Sequence, residues 1–134
     1  MKKLSKALAV LLLAQVVICV STLYSGAAEE SERKWTSYMR GRDGTEYFYD
    51  KGALIKTPQG TLQVWRKRVF PSGLAQKEIV TFDQIQCGAG EEYRTLQLSV
   101  TNWDGATQVF DKFSPWAHIY TNSPEQYLVG EHCK

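Results

Sequence analysis

The densest run of chemically active side chains is Trp65, Arg66, Lys67 and Arg68, with Lys56 nearby. Guanidinium and ammonium groups in such a run can hold a polyanion such as a glycosaminoglycan, and the indole can stack on a sugar ring. If the run is a strand, successive side chains point to opposite faces. Arg66 and Arg68 then share one face, and Lys67 shares the other with Trp65. Trp65, Arg66, Lys67 and Arg68 are therefore the candidate ligand-binding residues. The simpler competing reading is edge protection, because sheets blunt exposed edges with lysine and arginine.

Other reactive side chains point to no reaction. The chain holds no GxSxG, HExxH, CxxC or phosphate-cradling glycine loop. His118 lies in an apolar stretch (WAHIY) and His132 lies beside a cysteine near the carboxyl end; neither has a carboxylate at a telling spacing. Glu91, Glu92 and Asp50 read as solvation of turns and strand ends. Arg40-Gly41-Arg42-Asp43-Gly44 is not an Arg-Gly-Asp tripeptide, because Arg42 intervenes. No catalytic residue, metal site or cofactor is expected.

The three cysteines stand at 19, 87 and 133. Cys19 falls inside an apolar run, Ala7 to Val20, preceded by Lys2, Lys3 and Lys6 and followed by Ser25, Gly26, Ala27 and Ala28. A run of 14 residues is short of the roughly 20 needed to cross a bilayer as a helix. With its cationic head and small-residue patch it reads as a signal peptide over residues 1–28. A lipid anchor at Cys19 would require a small residue before it, where Ile18 stands. The protein is expected to be exported to the periplasm or cell surface, with no transmembrane anchor in its mature form.

Removing that segment takes away three lysines and no acid, so the net charge of +2 becomes −1. Nothing in that balance points to nucleic acid. Cys87 and Cys133 remain as an even pair in an exported chain, for which a disulfide is the default. Closing a loop of 46 residues stabilises by roughly 4 kcal/mol in the chain-entropy picture.

The rest of the chain must position these groups. Residues 29–34 form a charged leader before a single domain, 35–134. Strands are expected at Thr45 to Asp50, Thr61 to Phe70, Glu78 to Cys87, Glu91 to Asn102 and Ala106 to Phe113, separated by turns at Asp43-Gly44, Pro58-Gln59-Gly60, Pro71-Ser72-Gly73 and Asp104-Gly105. Leu96, Leu98 and Val100 alternate with Thr95, Gln97, Ser99 and Thr101, the pattern of a half-buried antiparallel strand. Ser123, Pro124 and Gln126 read as a cap, a first helical residue and a capping-box partner, opening a helix over 124–133. That helix should cover the core with Tyr127 and Leu128. The fold class is mainly β (α+β): an antiparallel meander of about five to six strands, with a carboxyl-terminal helix packed on it and tied by one disulfide.

In this order, the residues resemble the surface-adhesin protein E family of small exported bacterial proteins. The resemblance covers about residues 33–133. It rests on Trp35, Tyr49-Asp50, Leu54, Val64-Trp65, Asp83 before Cys87, Tyr93-Arg94 with Leu96, Asp104-Gly105, Ser114-Pro115-Trp116 with Ile119, and the Ser123 helix closing on Cys133. Ala53 and Thr121 depart from that pattern. The resemblance implies a sheet with a cystine-joined terminal helix. It also implies a non-catalytic extracytoplasmic binding domain whose partner is a host matrix protein or a plasma protein, while the basic run is what points to a polyanion. The alternative is a periplasmic structural or accessory envelope protein without a host ligand.

Overall fold

Alternation in the two longest apolar–polar segments dictates the centre of the sheet. In the computed structural model, which describes residues 32–88, 90–111 and 113–134, these segments form β5 (Gln76–Gln86) and β6 (Glu92–Asn102), antiparallel neighbours. The expected signal segment and the first residues of the leader lie outside the described residues. Around this pair stand β1 (Trp35–Arg40), β2 (Glu46–Asp50), β3 (Ile55–Lys56), β4 (Thr61–Val69), β7 (Thr107–Phe110) and β8 (Ala117–His118). The lateral order is β1-β2-β4-β5-β6-β7, with β3 beside β4 and β8 beside β6, all antiparallel. Lys34–Lys134 form one compact unit.

The fold is thus the expected antiparallel, meander-like sheet with a carboxyl-terminal helix. Its eight strands exceed the five to six expected because the lanes beside β4 and β6 are each broken in two. A 3₁₀ turn at Lys51–Ala53, capped by the Asp50 carboxylate accepting from the Gly52 amide at 3.0 Å, separates β2 from β3. The last full strand, expected over 106–113, ends at Phe110. One reading of the basic run is overturned here: β4 pairs with β2 on one side and β5 on the other, so it is no edge.

The turns form where Asp-Gly pairs stand. Asp43 accepts from the Thr45 amide at 3.0 Å and from its hydroxyl at 2.9 Å. Gly44 takes φ of 88°, a left-handed value that a side chain disfavours. Gly105 does the same at 86° between β6 and β7.

One face of the sheet carries the core. Tyr49, Leu62, Val64 and Ile85 point there and meet Ile119 and, from α1 (Pro124–His132), Leu128 and Val129. Ser123 caps α1 by accepting from the Gln126 amide at 3.2 Å, and Pro124 opens it. The Gln126 side chain reaches one residue further back than a capping box would, to the Asn122 amide at 2.6 Å. Nine residues are too few for a stable isolated helix in water, so α1 depends on docking. Cys133 ends the helix and is bonded to Cys87, with Cα atoms 5.3 Å apart. Tyr127 does not take the expected core position; it is 48% exposed, and Val129 is buried beside Leu128 instead. Among the described residues no helix is long and apolar enough to cross a membrane.

Candidate functional site

Because β4 is a central strand, its alternation divides the basic run between two environments. Leu62, Val64 and Arg66 are buried in phase, on the face that α1 covers. A guanidinium there must be paired, since an isolated buried charge is prohibitively costly. Arg66 Nε donates to Asp83 Oδ2 and Nη1 donates to Glu125 Oε1, each at 2.5 Å. Asp83, on β5 and fully buried, also accepts from Thr81 Oγ1 at 2.8 Å and from Thr95 Oγ1 at 2.7 Å. Glu125 sits in the first turn of α1, where a carboxylate also complements the helix dipole.

These charges tune one another. Burial alone would lower the Arg66 pKa, but Asp83 and Glu125 outweigh it and keep the guanidinium charged. Burial pushes Glu125 upward, yet the charge and hydrogen bond of Arg66 hold its carboxyl below the usual range. Tyr38 lines the same region, with its ring 5.5 Å from that of Tyr49 and 5.3 Å from that of Tyr127. Its hydroxyl is pushed up to about 12 by burial, partly offset by Arg66. Tyr93 lies under the guanidinium, 5.6 Å from ring centroid to Cζ. The arrangement is a clamp: one cation joins β4, β5 and α1, and each charged group is held by a partner.

The opposite face is built differently. Lys67 Nζ lies 4.6 Å from the Trp35 ring centroid and 5.4 Å from that of Phe48. Trp65 and its cross-strand partner Phe82 stack with centroids 4.8 Å apart and planes 26° apart. Arg94 Cζ lies 4.7 Å from the Trp116 centroid and 5.6 Å from that of Phe113, while its Nε donates to Gln84 at 2.9 Å. Ion pairs among the described residues include Arg40–Glu46, Arg66–Asp83 and Arg66–Glu125. Lys67 and Arg94 belong to none of them. A cation over a ring is attracted by the quadrupole but keeps its formal charge.

No family model, curated protein or solved structure matches this chain. The site is therefore read from its geometry.

The four candidate binding residues do not form one patch. Trp65 and Lys67 stand on the aromatic face. Arg66 is spent inside the clamp. Arg68 takes the phase of Arg66 and pairs in register with Tyr47 and Ile79. His118 is exposed, with its ring 5.6 Å from that of Tyr120. His132 packs on Tyr49 at 5.4 Å, and its Nε2 is buried without a hydrogen-bond partner. Among the described residues no group of three or more His, Cys, Asp or Glu is arranged to hold a metal. A groove of about 530 Å³, lined by Met39, Gln126, Tyr127 and Glu131 among others, includes none of the clamp or aromatic-face residues.

Sequence reasoning missed Asp83 and Glu125 as members of the clamp, and Arg94 with Trp116 as a second cation–ring pair. A signal for the first existed: in Ile79, Thr81, Asp83, Ile85, the aspartate takes the apolar phase and so requires a buried cation. Nothing local signals the Arg94–Trp116 contact, because 22 positions separate the two residues and β8 returns the chain to β6.

Proposed function

We propose that the domain is a non-catalytic binding module acting outside the cytoplasm, in the manner of a bacterial surface adhesin, and that it meets its ligand with the sheet face opposite α1. The observation that carries this reading is the contrast in how charges are used. On the helix face the cation is matched by carboxylates and enclosed. On the other face two cations rest on aromatic rings with no carboxylate partner among the described residues. Aromatic rings and cations together are what recognition surfaces concentrate. The Cys87–Cys133 bond supports an oxidising location, since such bonds persist in exported proteins.

The test is capture by the purified exported protein from a mixture of extracellular-matrix and plasma proteins and glycans, beside a variant carrying Lys67→Gln and Arg94→Gln. The reading requires a bound ligand that the variant loses. Equal capture by both proteins would remove the ligand from this face.

A further inference from the structure

The aromatic face is laid out as a track. Trp35 belongs to β1, Trp65 and Lys67 to β4, Phe82 to β5 and Arg94 to β6, and Trp116 immediately precedes β8. Antiparallel lanes lie about 4.8 Å apart, so the six lanes place Trp35 and Trp116 about 24 Å apart across the sheet. A small ligand would touch one pair of rings at a time, whereas an extended chain lying across the strands would meet them in succession. Flat rings on a sheet face suit the flat faces of pyranose rings, which need apolar stacking more than deep pockets.

The cations set the ligand's charge. Val80 faces Lys67 and Gln84 faces Arg94. Two strand spacings across and four residues along therefore separate the two cations by about 16 Å between Cα atoms. Glu46, Glu78 and Glu92 share this face by register, but neither Lys67 nor Arg94 is in an ion pair among the described residues. Two such cations at that separation match a polymer with widely spaced acid groups. They are too few for nucleic acid, whose every residue carries a phosphate and whose binding proteins line the track with positive charge. A neutral glycan would bring no anion to either cation.

From this juxtaposition we propose that the face binds an acidic polysaccharide, with its sugar rings on Trp35, the Trp65–Phe82 stack and Trp116 and its acid groups on Lys67 and Arg94. This rests on the assignment of the ligand to this face. Uronate and sulfate groups share the chemistry that Lys67 and Arg94 recognise, and the two sources are told apart by the ligand used. Lys67 and Arg94 lie outside the buried core, so their substitution should leave the fold intact.

The experiment is retention of the exported protein on immobilised hyaluronan, heparin, neutral dextran and polyglutamate, with salt varied. Retention on hyaluronan, heparin or both is expected, falling as salt rises. Which of the two retains the protein tells carboxylate from sulfate recognition. Lys67→Gln and Arg94→Gln should each weaken affinity on the order of tenfold, as loss of a charge-assisted contact does. Trp116→Ala should weaken it too, and Arg68→Gln should not. Retention on polyglutamate equal to that on the glycans would overturn the proposal in favour of an acidic polypeptide. Retention on dextran equal to that on the acidic glycans would overturn the role of the cations. If no glycan is retained while a protein ligand is captured through Lys67 and Arg94, the face remains the binding face and the polysaccharide is wrong. If glycans are retained equally by all variants, the face itself is wrong.

Discussion

The two faces of one sheet use the same side-chain types for opposite ends. Beneath α1, Arg66 is surrounded by Asp83, Glu125 and two threonine-supported hydrogen bonds to Asp83. On the far side, Lys67, the next residue, rests on Trp35 and Phe48 without an ion pair among the described residues. Adjacent cations thus differ in partner because a strand turns each to a different face. A buried pair is costly to break because one charge is left without water or partner. A cation over half-buried rings contributes modestly to folding, roughly 0.5–2 kcal/mol, and keeps a charge that an anion can meet.

The largest expected effect comes from breaking the clamp. Asp83→Ala leaves Arg66 with Glu125 alone and strands two threonine hydroxyls, and should cost about 3–5 kcal/mol. Replacing Arg66, Asp83 and Glu125 together by Met, Leu and Gln should recover much of that loss, because no uncompensated charge stays buried. Urea unfolding of both variants measures the difference. A single substitution as mild as a surface change would mean that the clamp is solvated.

The disulfide comes next. Replacing Cys87 and Cys133 by Ser should cost about 2–5 kcal/mol. Hydrogen exchange should show α1 fraying first while β4 and β5 stay protected, since a nine-residue helix depends on its docking. Simultaneous loss of protection in helix and sheet would contradict this order.

A smaller effect follows from pH. The Glu125 carboxyl is held below its ordinary 4.5 when folded. Its contribution is therefore complete above the unfolded value and is lost as pH falls through the folded one. Glu125→Gln should remove about 1–3 kcal/mol at neutral pH and flatten the acid limb of the stability curve. Tyr38 has the reverse sign: its folded value of about 12 exceeds the ordinary 10.0. Its contribution is present below pH 10 and is lost as pH rises toward 12. An acid limb unchanged in the Glu125→Gln variant would place the acid sensitivity elsewhere.

Much of the sheet was legible because period-two alternation is a direct consequence of burying one face. Glu78 to Cys87 and Glu91 to Asn102 announced β5 and β6, and the Ser123-Pro124 pair announced α1. The same alternation separated Lys67 from Arg66. Strands set by partners rather than pattern were not legible: β3 and β8 are two residues each, and β1 carries a register shift between Ser37 and Met39 that turns Tyr38 toward the helix side. The central place of β4 depends on pairings at both its sides, which no local signal contains. Reading a basic run as an edge failed for that reason. The clamp was half legible, since Asp83 stands in the phase of isoleucines, but Glu125 reaches it only through tertiary docking of α1.

The central claim is that folding and recognition are assigned to opposite faces. The most direct test measures both in one variant, Lys67→Gln with Arg94→Gln, by urea unfolding and by retention on hyaluronan and heparin. Stability should stay within about 1–3 kcal/mol of the parent, the sum of two half-buried cation–ring contacts, while retention on the acidic glycans is lost. A variant that unfolds readily yet retains those glycans as the parent does would contradict the division.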